Sequence, residues 1–579
     1  ISGSLNGIIT GSRLLQAIAR DNLIPILKPF GQGSGKNDEG RVAVLGSAVI
    51  VQILIFGKLN AIAPLVTIFC LLTYAGVNLS YFALTISGAP NFRPSFRHSS
   101  WQTSLLGFVV AMAVMFVVNL LQAVIAILLC VVIMLYIQML GPVTAWGDIS
   151  QAIMFHQIRK YLLRLDVRRR HVKYWRPSLL YFVDSPLSPS SFALIETCNY
   201  IKKGGLFILG HVALEEETAL QEIVRFEEVA SDLVGLMEVK AFVKVTRAAT
   251  MAGGMESLLL SSGLGDMRPN LVVLGWPRAY STPDEVVPTP SVTALPDILL
   301  PFQGMSKGNS SLSVEQLQAI LATIVTMGKG FLLARHFGHL SPGEFRSRDV
   351  PFFKKKVVDP VMKTALRRKK QFVDLWLYTD PNASSPQRGN VSLALLLGHI
   401  ASRGKNWEKR TKLRLCGWAC DEEKAQVMRK HLQDILKCTR IRGTTEVFLI
   451  TPDSSFVMRS FCKMRIPEAF EEVRADVTKE PLTIHQKVAL YNDHAARVQE
   501  IARNIHLRDL SALQRVAVLN EVIARSSTSS VMTFVTVPSP PAENLEAFYT
   551  YMELLDTLTR NLKPTMLVYT QETVLTQEL

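Results

Sequence analysis

One tyrosine in a long uncharged run is the side chain of this sequence under the strongest chemical demand. Tyr74 stands in Phe69-Cys70-Leu71-Leu72-Thr73-Tyr74-Ala75-Gly76-Val77-Asn78, the middle of an apolar stretch. A phenol hydroxyl in hydrocarbon needs a partner, and its desolvated O–H can donate to a neighbouring helix or to a bound anion. Residue types alone leave both readings open. The other candidates carry less. Gly31-Gln32-Gly33-Ser34-Gly35-Lys36-Asn37 has three residues where a Walker loop needs four, ends in Asn37 where Ser or Thr is required, and follows a membrane helix instead of a strand. It reads as a flexible cytosolic loop. Ser262-Gly263-Leu264-Gly265 precedes a strand, whereas a dinucleotide site has its glycines after one, so a tight turn is expected. Cys416 and Cys420 have no second pair for zinc. His211 ends a strand without a nucleophile elbow or an acidic partner at telling spacing. No catalytic constellation emerges. The expectation is a protein that is not an enzyme and has no cofactor and no metal site.

The elements that must hold Tyr74 are membrane helices. From Trp101 to Leu140 forty residues pass without Asp, Glu, Lys or Arg. A bilayer crossing takes about 20 apolar helical residues, so this run fits two crossings with a turn near Asn119. Ile1 to about Ala19, Val42–Phe56 and Ala61 to about Ser87 supply three more segments. The chain opens on Ile1 inside an apolar segment with no signal peptide, which reads as a truncated start with part of the membrane region missing. Arg20, Lys28, Lys36 and Arg41 lie in one loop, and Arg93 and Arg97 in another, while the intervening turns carry Lys58 alone or nothing. The positive-inside rule puts both basic loops, and the region after Leu140, in the cytosol.

Over 579 residues Lys plus Arg exceed Asp plus Glu by 63 to 48. A net +15 suits nucleic acid or an anionic membrane; with membrane spans present the membrane reading is the simpler, and no nucleic-acid partner is expected. Seven scattered cysteines point to a reducing compartment for the large domain. An amphipathic stretch from about Trp146 to Leu165 leads into Arg168, Arg169, Arg170, His171 and Lys173. This is either a solvated linker or, through Arg168, Arg169, Arg170 and Lys173, a contact to anionic lipid.

The rest of the chain alternates β-branched runs with helical patterns, the mark of a parallel α/β sheet. Strands are expected at Ser178–Val183, Leu206–His211, Ala241–Val245, Leu271–Gly275 and Gly330–Arg335. After a break they resume at Phe372–Tyr378, Leu413–Trp418, Glu446–Ile450, Met532–Val537 and Thr565–Tyr569. Val314–Met327 and Leu545–Asn561 are helices between them. Tyr280–Pro301 is a Pro/Ser/Thr-rich loop, and the basic stretch from Lys354 to Lys370 is the expected junction of two halves. The expected domains are 1–140 (transmembrane), 141–176 (basic linker helix), 177–350 and 351–579 (the two α/β halves).

Several segments resemble the cation–chloride cotransporters, solute carrier family 12. They are Ser12-Arg13-Leu14-Leu15-Gln16-Ala17-Ile18-Ala19-Arg20-Asp21-Asn22, Gly57-Lys58-Leu59-Asn60-Ala61-Ile62-Ala63-Pro64, and Gly88-Ala89-Pro90-Asn91-Phe92-Arg93-Pro94-Ser95-Phe96-Arg97. Gly263-Leu264-Gly265-Asp266-Met267-Arg268-Pro269-Asn270 with Gly275-Trp276-Pro277, and Val518-Leu519-Asn520-Glu521-Val522-Ile523 with Pro538-Ser539-Pro540-Pro541, fit the same family. Phe155-His156-Gln157-Ile158-Arg159-Lys160-Tyr161 and Leu209-Gly210-His211-Val212 point to the branch of the cotransporter-interacting protein (member 9) and its fungal vacuolar relatives.

The resemblance implies a twelve-helix LeuT-like transporter of the amino acid–polyamine–organocation type, of which this chain holds the end of helix eight, helices nine to twelve and the cytosolic α/β domain. It implies a chloride-binding role for Tyr74. Sodium-coupled members carry paired serines where this chain has Ser2 and Gly3, so the sodium site is expected to be lost and potassium with chloride to be carried electroneutrally. Dimerisation through the cytosolic domain and a vacuolar, lysosomal or plasma membrane location follow from the same resemblance. The alternative is a non-transporting partner that regulates other cation–chloride cotransporters through its cytosolic domain. The terminal Leu579 departs from the ending usual in potassium–chloride members, and their regulatory contacts are not carried over.

Overall fold

The structure is a computed structural model. It describes residues 2–21, 24–34, 38–56, 59–88, 92, 94, 99–140, 149–167, 171–183, 189–215, 219–236, 238–277, 280, 312–339, 371–377, 388–403, 411–419, 421–450 and 511–574. The chain divides into two units, Ile1–Val167 and Arg168–Leu579.

The first unit is helical: α1 (Ser2–Arg20), α2 (Arg41–Ile55), α3 (Leu59–Ser87), α4 (Trp101–Val118), α5 (Leu120–Leu140) and α6 (Ile149–Val167). Ser100 starts α4 through a reciprocal cap with Thr103, which satisfies backbone donors the first turn leaves open. Asn119 ends it. Its backbone is extended (φ −163°, ψ 110°), and its side-chain oxygen accepts from Gln122 N–H at 3.1 Å, capping α5. One residue therefore makes the turn expected near Asn119. Ile68 of α3, Met115 of α4 and Ala123 and Ala126 of α5 bury one another completely or nearly so.

Among the described residues three helices are long and apolar enough to cross a membrane: Ile62–Ser87, Trp101–Val118 and Leu120–Ile137. These coincide with three of the five expected segments. At fifteen residues α2 is apolar but spans about 22 Å, short of a hydrocarbon core of about 30 Å. Asn6, Thr10, Ser12, Arg13 and Gln16 break the apolar run of α1. The glycine-rich loop after α1 is pinned where it is described. Arg20 Nε donates to Gly31 O at 3.0 Å, and Arg20 Nη2 holds Asp38 Oδ1 at 2.6 Å.

The second unit is a doubly wound α/β domain. Its strands are β1 (Leu179–Phe182), β2 (Phe207–Leu214), β3 (Phe242–Ala248), β4 (Leu271–Gly275), β5 (Gly330–Arg335), β6 (Gln371–Trp376), β7 (Thr411–Ala419), β8 (Gly443–Leu449), β9 (Ser530–Thr536) and β10 (Thr565–Tyr569). Between them run α7 (Pro189–Ile201), α8 (Leu220–Leu236), α9 (Met251–Ser261), α10 (Val314–Thr326), α11 (Arg388–Ser402), α12 (Glu422–Thr439), α13 (Ala512–Ser526) and α14 (Leu545–Thr559). Each of the ten expected strands is found. They form one sheet in the order β3-β2-β1-β4-β5-β10-β9-β6-β7-β8. All neighbours are parallel except β5 and β10, which pair antiparallel with Leu333 opposite Leu567.

The order has a hidden symmetry. Strands β1 to β5 lie 3-2-1-4-5, and β6 to β10 repeat that order from the other end. The halves are thus two copies of one topology, related by an approximate twofold axis at the Leu333–Leu567 pair. Helices α7, α11 and α12 cover one face, and α9, α10, α13 and α14 the other. A strand covered on both faces needs no polar alternation. Accordingly Leu179 and Tyr181 enter one core while Leu180 and Phe182 enter the other.

Two buried arginines tie this domain together. Arg414 of β7 grips fully buried Asp374 of β6 with Nε–Oδ1 at 2.9 Å and Nη2–Oδ2 at 2.6 Å, and Ser530 Oγ donates to the same carboxylate. Its Nη2 also donates to Ser526 O at 2.8 Å. Burial lowers the Arg414 pKa, but the Asp374 hydrogen bonds and charge outweigh it and leave the guanidinium raised. Arg335, at the end of β5, crosses between halves. Its Nη1 meets Asp556 Oδ1 of α14 at 2.8 Å and donates to Thr559 Oγ1 at 2.8 Å, while the guanidinium lies 4.5 Å from the Trp276 ring centre.

His399 of α11 carries a pH dependence. Burial lowers its pKa, and the charges of Arg403 and of Lys203, just past α7, add to this. A base with a lowered folded pKa binds fewer protons folded than unfolded, so its penalty is absent above the unfolded value and grows as pH falls below about 6.5. The domain is expected to lose stability between pH 7 and pH 5, with a shallower loss in His399→Gln. Urea midpoints across that range measure the difference; equal slopes for the two proteins would refute the assignment.

Candidate functional site

Pro64 sits in the second turn of α3. Thr67, Thr73 and Thr85 each donate back to the carbonyl four residues earlier, at 3.0, 2.9 and 2.8 Å. Such bonds let hydroxyls live in a membrane helix without outside partners. Asn78 Nδ2 likewise donates to Tyr74 O at 2.9 Å. On the side toward α4, a Cβ placed on Gly107 would stand 2.8 Å from Asn78 Oδ1, so glycine lets the two helices approach there.

The two tyrosines of this helix differ. Tyr81 Oη pairs with Ser99 Oγ at 2.6 Å, just ahead of the α4 cap, and its ring meets Phe92 edge-on. It is a structural tyrosine. Tyr74, two turns earlier, is 63% exposed and its hydroxyl makes no hydrogen bond among the described residues. A neutral O–H donor offered to space at the middle of a membrane span can hold an anion without introducing a formal charge into the site.

The remaining site expectations stand apart from Tyr74. Ser2 and Gly3 fall in the first turn of α1, with side-chain surroundings outside the described residues. Arg168, Arg169 and Arg170 lie outside the described residues, whereas Lys173 is exposed in a short turn whose backbone N–H donates to His171 Nδ1 at 3.1 Å. His211 is a packing residue: its Nδ1 lies 3.1 Å from Val183 O and its ring 5.0 Å from that of Phe226. Gly263 and Gly265 have φ of 93° and 55°, the tight turn expected there. Cys416 is buried on β7, and Cys420 is outside the described residues. Sequence reasoning missed Asp374–Arg414 and Arg335–Asp556, whose partners are 40 and 221 residues apart.

Three helices long and apolar enough to cross a membrane, followed by a doubly wound α/β domain, define the architecture of a membrane protein with a large extramembrane extension. The amino acid permease model matches residues 1–181, and the solute carrier family 12 model matches residues 192–286 and 341–578. The chain belongs to solute carrier family 12. It is 31% identical to solute carrier family 12 member 9 of Danio rerio over 98% of its length, covering 59% of that protein. It is 29% identical to vacuolar cation-chloride cotransporter 1 of Saccharomyces cerevisiae over 79% of its length, covering 41% of that protein. The chain therefore spans well under two thirds of these relatives. The crystal structure of the cytoplasmic domain of a prokaryotic cation chloride cotransporter overlaps at a TM-score of 0.35 and 14% identity, covering 69% of this chain and 98% of that one, too weak a likeness to argue from.

Proposed function

We propose that the whole protein is a secondary active transporter that carries chloride with potassium, electroneutrally and without sodium. The open Tyr74 hydroxyl is the observation that carries this reading: a donor at mid-span, without a hydrogen bond among the described residues, in a chain whose family includes cation–chloride cotransporters. Tyr74 would hold chloride, and Gly3 beside Ser2 would offer no side-chain oxygen to sodium. The remaining ligands would come from helices of a twelve-helix fold that this chain does not contain. The α/β domain would lie in the cytosol and dimerise, Arg168, Arg169, Arg170 and Lys173 would meet anionic lipid, and the vacuolar name of the yeast relative supports an internal membrane.

The test is rubidium uptake into liposomes holding the full-length protein, with and without chloride and sodium. Uptake should need chloride and not sodium. Tyr74→Phe should raise the half-saturating chloride concentration about tenfold or more, the worth of one hydrogen bond to a charged group at about 1.5–3 kcal/mol. Absence of uptake from folded protein would overturn the transport reading in favour of a regulatory partner of other cotransporters. Chloride dependence unchanged by Tyr74→Phe would remove Tyr74 from the site.

A further inference from the structure

Helix α6 packs against α3, and that contact leaves much of an apolar face uncovered. At 100° per residue Met154, Phe155, Ile158, Tyr161, Leu162 and Leu165 fall within an arc of about 120°, while Ile153 and Leu163, also exposed, lie off it. All but Leu162 are exposed, Phe155 to 71% and Tyr161 to 60%. Arg159, Lys160 and Arg164 lie outside this arc and are also exposed, and the sequence continues Arg168-Arg169-Arg170. The helix holds one acidic residue, Asp166. An exposed apolar arc beside cations is the composition of a helix that lies in a membrane interface with its apolar face in the acyl boundary.

The chain's own geometry supplies the surface. Helix α5 ends at Leu140 and α6 begins at Ile149, so at most about 30 Å of chain separates α6 from the end of a crossing helix. We propose that α6 is an interfacial helix that seats this apolar arc in the anionic leaflet at the exit of α5, with Arg159, Lys160 and Arg164 on the headgroups. The proposal rests on the reading of α5 as membrane-spanning, and it goes beyond a contact of the basic cluster because it requires side-chain insertion. Lipid is chosen as the occupant because a crossing α5 would bring the leaflet within reach of this face, whereas a second copy would have to bring a matching face past the same cations.

The experiment uses the full chain in liposomes of phosphatidylcholine and phosphatidylserine, with bromines on the upper acyl carbons, and reads tryptophan emission as the difference from the unsubstituted chain. Phe155→Trp should emit to the blue and be quenched, whereas Gln157→Trp, off the arc, should be red and unquenched. Leu128→Trp, in the middle of α5, should be quenched by bromines placed deep in the acyl chain. If Leu128→Trp is quenched and Phe155→Trp is not, the interfacial helix is overturned while the crossing stands. If neither is quenched, the membrane reading of α5 falls with it. Efficient cross-linking between copies of Phe155→Cys, together with an unquenched Phe155→Trp, would assign the face to a second copy and overturn the proposal.

Discussion

Replacing Asp374 by Asn should unfold the α/β domain more readily by about 3–5 kcal/mol, the cost of leaving a buried guanidinium without its counter-charge. Asp374 has no exposed surface, and both of its oxygens are spent on Arg414. The amide keeps the shape but not the charge. One of its two positions also becomes a donor aimed at a donor, either Arg414 or Ser530. Glu446, the other carboxylate on Arg414, lies 2.7 Å from Nη1 but is 45% exposed. It cannot substitute for Asp374, and Glu446→Gln should cost no more than about 1 kcal/mol. Urea unfolding of the domain followed by tryptophan fluorescence compares the two. A Glu446→Gln loss as large as that of Asp374→Asn would show that the network does not rest on the buried member.

Arg335→Met should cost about 3 kcal/mol or more and should also change how the domain unfolds. The guanidinium is 1% exposed and links β5 of the first half to α14 of the second through Asp556 and Thr559. Methionine fills much of the volume and keeps contact with Trp276, so the loss isolates the charge. Asp556 retains Arg560 at 2.5 Å on its more exposed side, which keeps the effect below that of a fully orphaned carboxylate. Because this tie crosses the seam, the variant should show unfolding transitions that no longer coincide between tryptophan fluorescence and far-UV circular dichroism. A single coincident transition at an unchanged midpoint would mean that β5–β10 pairing alone couples the halves.

The pattern of what was legible follows from how far each signal travels along the chain. Strands such as Leu271–Gly275 and Thr565–Tyr569 are short apolar runs buried on both faces, so their own residues announce them. The α4–α5 turn was readable because one polar residue, Asn119, interrupts an uncharged run. Pairing of β5 with β10 was not readable: Leu333 and Leu567 are 234 positions apart and neither names its partner. The same holds for Asp374 and Arg414, which looked like an acidic and a basic residue on two separate strands. Tyr74 stood out as a polar group in hydrocarbon. Its open hydroxyl, unlike that of Tyr81, depends on which neighbours fold against it, and no local pattern encodes that.

The repeated 3-2-1-4-5 order has a consequence for assembly. A free-standing half would leave the edge of its fifth strand bare, and two such halves would satisfy each other by joining those edges. In this chain that marriage has already taken place within one polypeptide, along β5 and β10. The domain is in effect a pseudo-dimer of two like-folded halves made permanent by a covalent tether, with the edges of both fifth strands consumed. Any association of this domain between separate copies must therefore recruit a different surface. The outer strands β3 and β8, which end the sheet, and the outward sides of the helices are what it has left.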